Sequence, residues 1–167
     1  MRLSDNHEIG RAAEYLVAAD MILQGIPATP IHGSWPYDVL AEVDGTTVRV
    51  QVKSTSRARS WPKAKNVYRF NLRVGKGARR RADHTGIDLI ALVALDLRKV
   101  AYFKVEALLT KAGALRQCVD LRDEGTYAGR VYPNGRVRTL NWHQMFNNRE
   151  SVREALAWSK GVADGNQ

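Results

Sequence analysis

Asp38, Gln51 and Lys53 bring a carboxylate, an amide and an ammonium into one short stretch of chain, residues 38–53. If they share a face, the oxygens can seat a hard divalent cation, and the ammonium can steer an attacking water or offset developing negative charge. Whether they share a face depends on the turn between them. Asp44-Gly45 is the strongest short hairpin signal a sequence offers, because a two-residue turn needs positive φ and Gly adopts it without strain. With that turn, Val43 pairs with Thr46, Ala41 with Val48, Val39 with Val50 and Asp38 with Gln51. Strand side chains alternate, so Tyr37, Val39, Ala41, Val43, Val48, Val50 and Val52 line an apolar face. Asp38, Glu42, Arg49, Gln51 and Lys53 share the other face; a longer turn would shift the register.

The elements that must hold this hairpin follow from periodicity. Ile9, Ala12, Ala13, Leu16, Val17 and Leu23 recur at helical spacing, predicting a helix over 5–24 that Asp5 or Asn6 caps and Gly25 ends. Residues 31–36 read as a loop into the hairpin, and 56–66 as a basic loop around Trp61-Pro62. Tyr68, Phe70, Leu72 and Val74 alternate with Arg69, Asn71 and Arg73, predicting a half-buried strand over 67–74. Residues 87–95 read as a buried central strand and 100–105 as its partner across a turn near Arg98-Lys99. A short helix follows at 106–111, a turn at 132–135, a helix start near 142–146, and a helix over 151–160 in which Ser151 and Glu154 fit a capping box. The sum is one α/β domain over 1–167: a mixed β-sheet flanked by α-helices, with a core at 5–105 and a helical extension at 106–162.

Charge points to the partner. The formal net charge is +9, and from Gly45 through Ala82 the chain holds no Asp or Glu. That stretch carries Arg49, Lys53, Arg57, Arg59, Lys63, Lys65, Arg69, Arg73, Lys76, Arg79, Arg80 and Arg81, a run suited to tracking phosphates; a solvated basic surface is the plainer alternative. Arg79, Arg80 and Arg81 would set position without reading sequence. Trp61 could stack on a base or pack under its own loop. The single cysteine, Cys118, excludes an internal disulfide and a multi-cysteine zinc site, and reads as a buried or incidental thiol. His7, His32, His84 and His143 show no ligand spacing, although His32 lies near enough to the hairpin to touch a phosphate. Acidic residues at the N-terminus argue against a signal peptide, and the longest apolar run, residues 89–95, is too short to span a bilayer, so a cytoplasmic protein is expected.

Gly10-Arg11-Ala12-Ala13-Glu14-Tyr15-Leu16-Val17, then Gly25, Asp38 and Gln51-Val52-Lys53-Ser54-Thr55, resembles the PD-(D/E)XK nuclease superfamily over roughly residues 5–105. The nearest patterns are those of cyanobacterial-type group I intron homing endonucleases and archaeal-type Holliday junction resolvases. The resemblance implies a restriction-endonuclease-like fold. Asp38 matches the first metal-binding aspartate, Glu14 the acidic residue of the first helix, and Lys53 the lysine. Gln51 stands where most members carry Glu or Asp, and echoes the intron-endonuclease branch. Glu8, on the opposite flank of the helix's apolar stripe, is the rival of Glu14.

By that resemblance Glu14, Asp38, the Gln51 amide and the Val52 carbonyl would hold Mg²⁺, with Mn²⁺ as a substitute, and Lys53 would act on the water or the phosphate. Ser54, Arg57, Arg59, Lys63, Lys65, Arg69, Arg73, Lys76, Arg79, Arg80 and Arg81 would contact DNA. The expected function is a Mg²⁺-dependent DNA endonuclease, either homing-type or Holliday-junction-resolving, acting on duplex or branched DNA as a homodimer or dimer of dimers. The alternative is a DNA-binding module on a nuclease scaffold, with cleavage weakened by the Gln.

Overall fold

The Asp44-Gly45 turn forms with φ of 50° and 76°, the positive pair a two-residue hairpin needs. It joins β2 (Val39–Val43) to β3 (Thr46–Thr55) in the expected register, Val43 opposite Thr46, Ala41 opposite Val48 and Val39 opposite Val50. The computed structural model describes residues 6–61, 64–72, 84–122, 130–131, 137–138, 146 and 149–157. The expected turn at 132–135 and most of the helix start near 142–146 lie outside them.

A five-stranded mixed sheet carries the hairpin. Its order is β1-β2-β3-β6-β7, with β1 spanning Ala28–Pro30, β6 Leu89–Ala94 and β7 Lys99–Lys104. Only β3 and β6 run parallel. β6 is buried along its whole length, which explains its unbroken apolar run. β1 escapes sequence reading because prolines flank and end it; as an edge strand it tolerates Pro30.

The two faces of the sheet are covered differently. α1 (Asn6–Leu23) buries Ala13, Val17, Ala18 and Met21 against Val39, Val50, Leu89, Ala91 and Tyr102, and α2 (Val152–Ala157) adds Val152 and Ala155 to the same core. On the other face, Ile90, Leu92, Ala101 and Phe103 meet Tyr68, Phe70, Leu72, Leu121 and Phe146. That second layer is a small sheet of order β4-β5-β8, with β4 at Arg59–Trp61, β5 at Ala64–Asn71 and β8 at Cys118–Leu121. A further pair, β9 (Arg130–Val131) and β10 (Val137–Arg138), lies apart from both sheets in pairing.

Three expectations change here. The basic loop at 56–66 instead contributes to a strand pair, since β4 pairs with β5 with Trp61 opposite Ala64. The helix at 106–111 is a single 3₁₀ turn over Val105–Leu108. The described part of the 106–162 extension contains β8 as well as α2; four residues, Cys-Val-Asp-Leu, give too little alternation to read as a strand. Cys118, at the start of β8, is exposed.

A polar knot fixes α1 against β7 and α2. The Tyr102 hydroxyl donates to Asp20 Oδ2 at 2.6 Å, and the Gln24 amide donates to the same oxygen at 2.8 Å. Gln24 also donates to the Glu150 carbonyl and accepts from the Val152 N–H at 3.0 Å. Burial, then the bond to Asp20 and its charge, hold the Tyr102 hydroxyl firmly protonated. α2 begins as expected, with the Glu154 N–H donating to Ser151 Oγ at 3.3 Å. No described helix is long and apolar enough to cross a membrane. Tyr102→Phe removes the buried donor to a carboxylate and should lower unfolding free energy by about 1.5–3 kcal/mol with an unchanged urea m-value; equilibrium urea denaturation measures it.

Candidate functional site

Strands β2 and β3 part at Asp38, and the site lies in the fork. β2 stops pairing at Val39 opposite Val50, whereas β3 runs on to Thr55 along β6. Alternate residues of a strand bond to opposite neighbours, so β3 has unclaimed backbone groups on the side β2 has left. The Leu95 N–H donates to the Thr55 carbonyl, which assigns Gln51, Lys53 and Thr55 to the β6 side. Val52 therefore points its N–H and carbonyl into the fork.

Asp38 fills that gap. Its own N–H donates to the Val50 carbonyl at 2.9 Å and its carbonyl accepts from the Ile31 N–H at 2.8 Å, so the backbone is held on both sides. Its Oδ2 then accepts from the Val52 N–H at 2.7 Å and from the Gln51 side-chain amide. The carboxylate thus replaces the missing strand partner. The Val52 carbonyl lies on the same edge of β3.

The remaining groups arrive from the two faces. Glu14 comes from α1: burial raises its carboxyl pKa first, and the negative charge of Asp38 raises it further, while His32 and Arg11 act in the opposite direction. Two carboxylates close enough to feel one another are a usual feature of cation sites. Glu8, the rival, is exposed. Lys53 comes from the opposite face. It stands opposite Leu92, a member of the second core, so its stem lies against apolar side chains. Burial lowers its pKa, and Asp38 offsets part of that shift.

The donor set suits Mg²⁺ or Mn²⁺: two carboxylates, a backbone carbonyl and an amide that can present oxygen. The Gln51 amide has both polarities; its N–H meets Asp38, and a half-turn about its last bond puts its oxygen there instead. Among the described residues no three of His, Cys, Asp and Glu gather into a group that could hold a metal ion, so this set would rely on the neutral oxygens of Gln51 and Val52 beside its two carboxylates.

Below the fork, Arg49 locks β3 to the start of β6. Its guanidinium donates twice to Asp88, at 3.0 and 3.1 Å, and its N–H donates to Asp88 Oδ2 at 2.8 Å. Burial alone would raise the Asp88 pKa, but those bonds and the Arg49 charge outweigh it and hold the carboxyl below its ordinary value.

The expected DNA-contacting residues divide. Ser54 is half-buried on β3 next to Lys53, and Arg57 and Arg59 are exposed just beyond it. Arg69 is engaged elsewhere: it forms two 2.7 Å bonds with Asp120 across β5 and β8, a structural fork-to-fork pair. Lys65 lies on β5. Lys63, Arg73, Lys76, Arg79, Arg80 and Arg81 fall outside the described residues.

The model of the PD-(D/E)XK endonuclease family matches residues 4–125, and the chain belongs to that family. Among solved structures, the fold is similar to that of a bacterial homing endonuclease, I-Ssp6803I, with a TM-score of 0.62 and 20% identity over 96% of each chain. At that identity the likeness speaks for the fold alone. No curated protein matches this chain.

The site costs stability in a way that can be measured. A lowered Lys53 pKa means the ammonium is disfavoured in the fold. That cost is present in full below the folded-state pKa and fades as pH rises through and beyond it. At neutral pH, Lys53→Met should therefore stabilise the protein by about 0.5–2 kcal/mol in urea denaturation; a loss of stability would contradict the assignment of its environment. Gln51→Glu sets a second carboxylate against Asp38. Its melting temperature should fall at pH 7, recover as pH is lowered, and rise more on adding Mg²⁺ than that of the parent protein.

Proposed function

We propose that the protein is a Mg²⁺-dependent DNA endonuclease whose centre is the fork between β2 and β3. The observation that carries this reading is the Asp38 carboxylate, fixed by the Val52 N–H and within the electrostatic reach of Glu14 and Lys53. The net charge of +9, together with the acid-free stretch from Gly45 to Ala82, favours a polyanionic substrate.

Glu14, Asp38, the Gln51 amide and the Val52 carbonyl would hold the ion. When bound, the ion polarises the phosphodiester and lowers the pKa of a water. The chain's own groups do the rest. Asp38 holds its orientation because its backbone is tied at both ends, so no reorganisation is needed when substrate arrives. Lys53 brings a partly desolvated ammonium, whose hydrogen bonds to a phosphate oxygen or the attacking water are stronger than in bulk solvent. Water oxygen bonds to phosphorus as the bond to the leaving sugar oxygen breaks. Arg57 and Arg59, exposed next along the chain, supply phosphate contacts. Cutting both strands, by homing-type cleavage or junction resolution, requires two such centres and so a homodimer or larger assembly.

The Gln51 amide bond to Asp38 supports a second reading, a DNA-binding module in which the missing acid has weakened cleavage. One experiment separates the two. Purified protein with Mg²⁺ should nick linear duplex, flap or four-way-junction DNA. Asp38→Ala and Lys53→Ala should each lower the rate by at least about 10²-fold while DNA affinity in EDTA stays within a few-fold. Salt-sensitive binding without any Mg²⁺-dependent product would instead establish the binding module.

A further inference from the structure

The loop that delivers Asp38 also carries aromatic rings that the hydrolytic chemistry does not use. Its base is pinned by the Ile31 N–H donating to the Asp38 carbonyl. Within it the Trp35 indole lies on the Tyr37 ring, 5.9 Å between centroids and tilted by only 24°. Gly33, two residues before the indole, has a φ of 140°, a backbone conformation that side-chain-bearing residues rarely adopt. Trp35 is nevertheless 61% exposed. Nearby, Tyr15, the residue after Glu14, is 52% exposed and sits 6.3 Å from the His32 ring. Exposed large apolar side chains are few among the described residues (Tyr15, Ile22, Leu23 and Trp35), and two of the four are neighbours in sequence of Glu14 and Asp38.

An indole stacked on Tyr37 and still 61% exposed is a surface on which a further ring can stack. The cationic surroundings, Arg11 beside Glu14 and the exposed Arg57 and Arg59, suit an anionic strand. Inside continuous duplex every base has both π-faces covered by its neighbours. Only a base that has lost a neighbour can cover Trp35. Trp35 lies three positions before Asp38, a reach of at most about 10 Å, which is about three nucleotides of one strand at 3.4 Å each.

We propose that the Trp35–Tyr37 pair is a platform for an unpaired nucleobase beside the cut, which makes the substrate class DNA interrupted by a flap, gap or branch point rather than unbroken duplex. This rests on the endonuclease reading above and narrows its substrate. The platform accounts for a largely exposed indole stacked on Tyr37 three positions before Asp38, which core packing does not require.

The test is binding in EDTA, so that it does not depend on cleavage. Full-length protein is titrated into a flap and a matched duplex, each with 2-aminopurine within three nucleotides of the branch or the equivalent position. Wild type should prefer the flap by about 5- to 100-fold, as expected for one base–aromatic stack, with quenching of the probe. Trp35→Ala should bring that ratio to near one and abolish the quenching, and Trp35→Phe should keep most of both. Because the side chain is largely exposed, circular dichroism and urea midpoint should be unaltered in either variant. A wild-type ratio near one, or a ratio unchanged in Trp35→Ala, overturns the platform and leaves the endonuclease reading intact. Failure to bind either DNA overturns both. A Trp35-dependent ratio in a protein that cuts nothing with Mg²⁺ supports the platform and overturns the endonuclease reading alone.

Discussion

A single side chain closing an open backbone edge governs this molecule. Where β2 turns away from β3, the Val52 N–H would face the fork without a strand partner, and Asp38 Oδ2 takes it at 2.7 Å. The bond satisfies a main-chain donor that would otherwise cost free energy, and it also aims a carboxylate into the gap. Because the fork opens onto both faces of the sheet, one residue from the helical side and one from the second-layer side can reach the same point. Glu14 and Lys53 lie on opposite faces of the sheet for that reason.

The surroundings of the fork are rigid where the fork itself is costly. Glu14 and Lys53 are each held in environments that disfavour their charged forms. Around them, Arg49 grips Asp88 through backbone and side chain, and Asp20 joins Tyr102 and Gln24 at the far end of α1. The Asp20 bond to Tyr102 ties the end of α1 to β7, and the Arg49 bonds tie β3 to the start of β6. Stability spent at the centre is recovered in the scaffold, a pattern expected of sites built for chemistry.

Much of this was written in local sequence. The hairpin register from Val43–Thr46 to Val39–Val50 follows from two residues, Asp44 and Gly45. The expected Asp38–Gln51 strand pair does not form, because the ladder ends at Val39 and the Asp38 N–H turns to the Val50 carbonyl, so the two meet through their side chains instead. α1 and β6 were legible because long periodic or apolar segments leave little choice. Gly25 ends α1 as expected, with the Ile26 N–H reaching back to the Met21 carbonyl. What was hidden depends on partners distant in the chain. β8 is four residues long and exists because β5 offers an edge; β1 is an edge strand disguised by prolines. Arg69 reads as a phosphate contact in a basic run, yet Asp120, fifty-one residues later, claims it. The Tyr102 knot had a faint signal: a hydroxyl inside an apolar strand must find an acceptor somewhere. That Glu14 is half-buried within reach of the Asp38 charge while Glu8 is exposed depends on the helix's rotation about its axis, which only packing decides.

Cys118 is the chain's one thiol, and it stands in solvent at the head of β8, opposite Asn71 in the second layer. The chain therefore has a ready-made attachment point on the layer that does not carry Asp38. A maleimide dye or spin label placed there reports on one sheet sliding or tilting over the other, without engineering away competing cysteines and without touching any group in the fork.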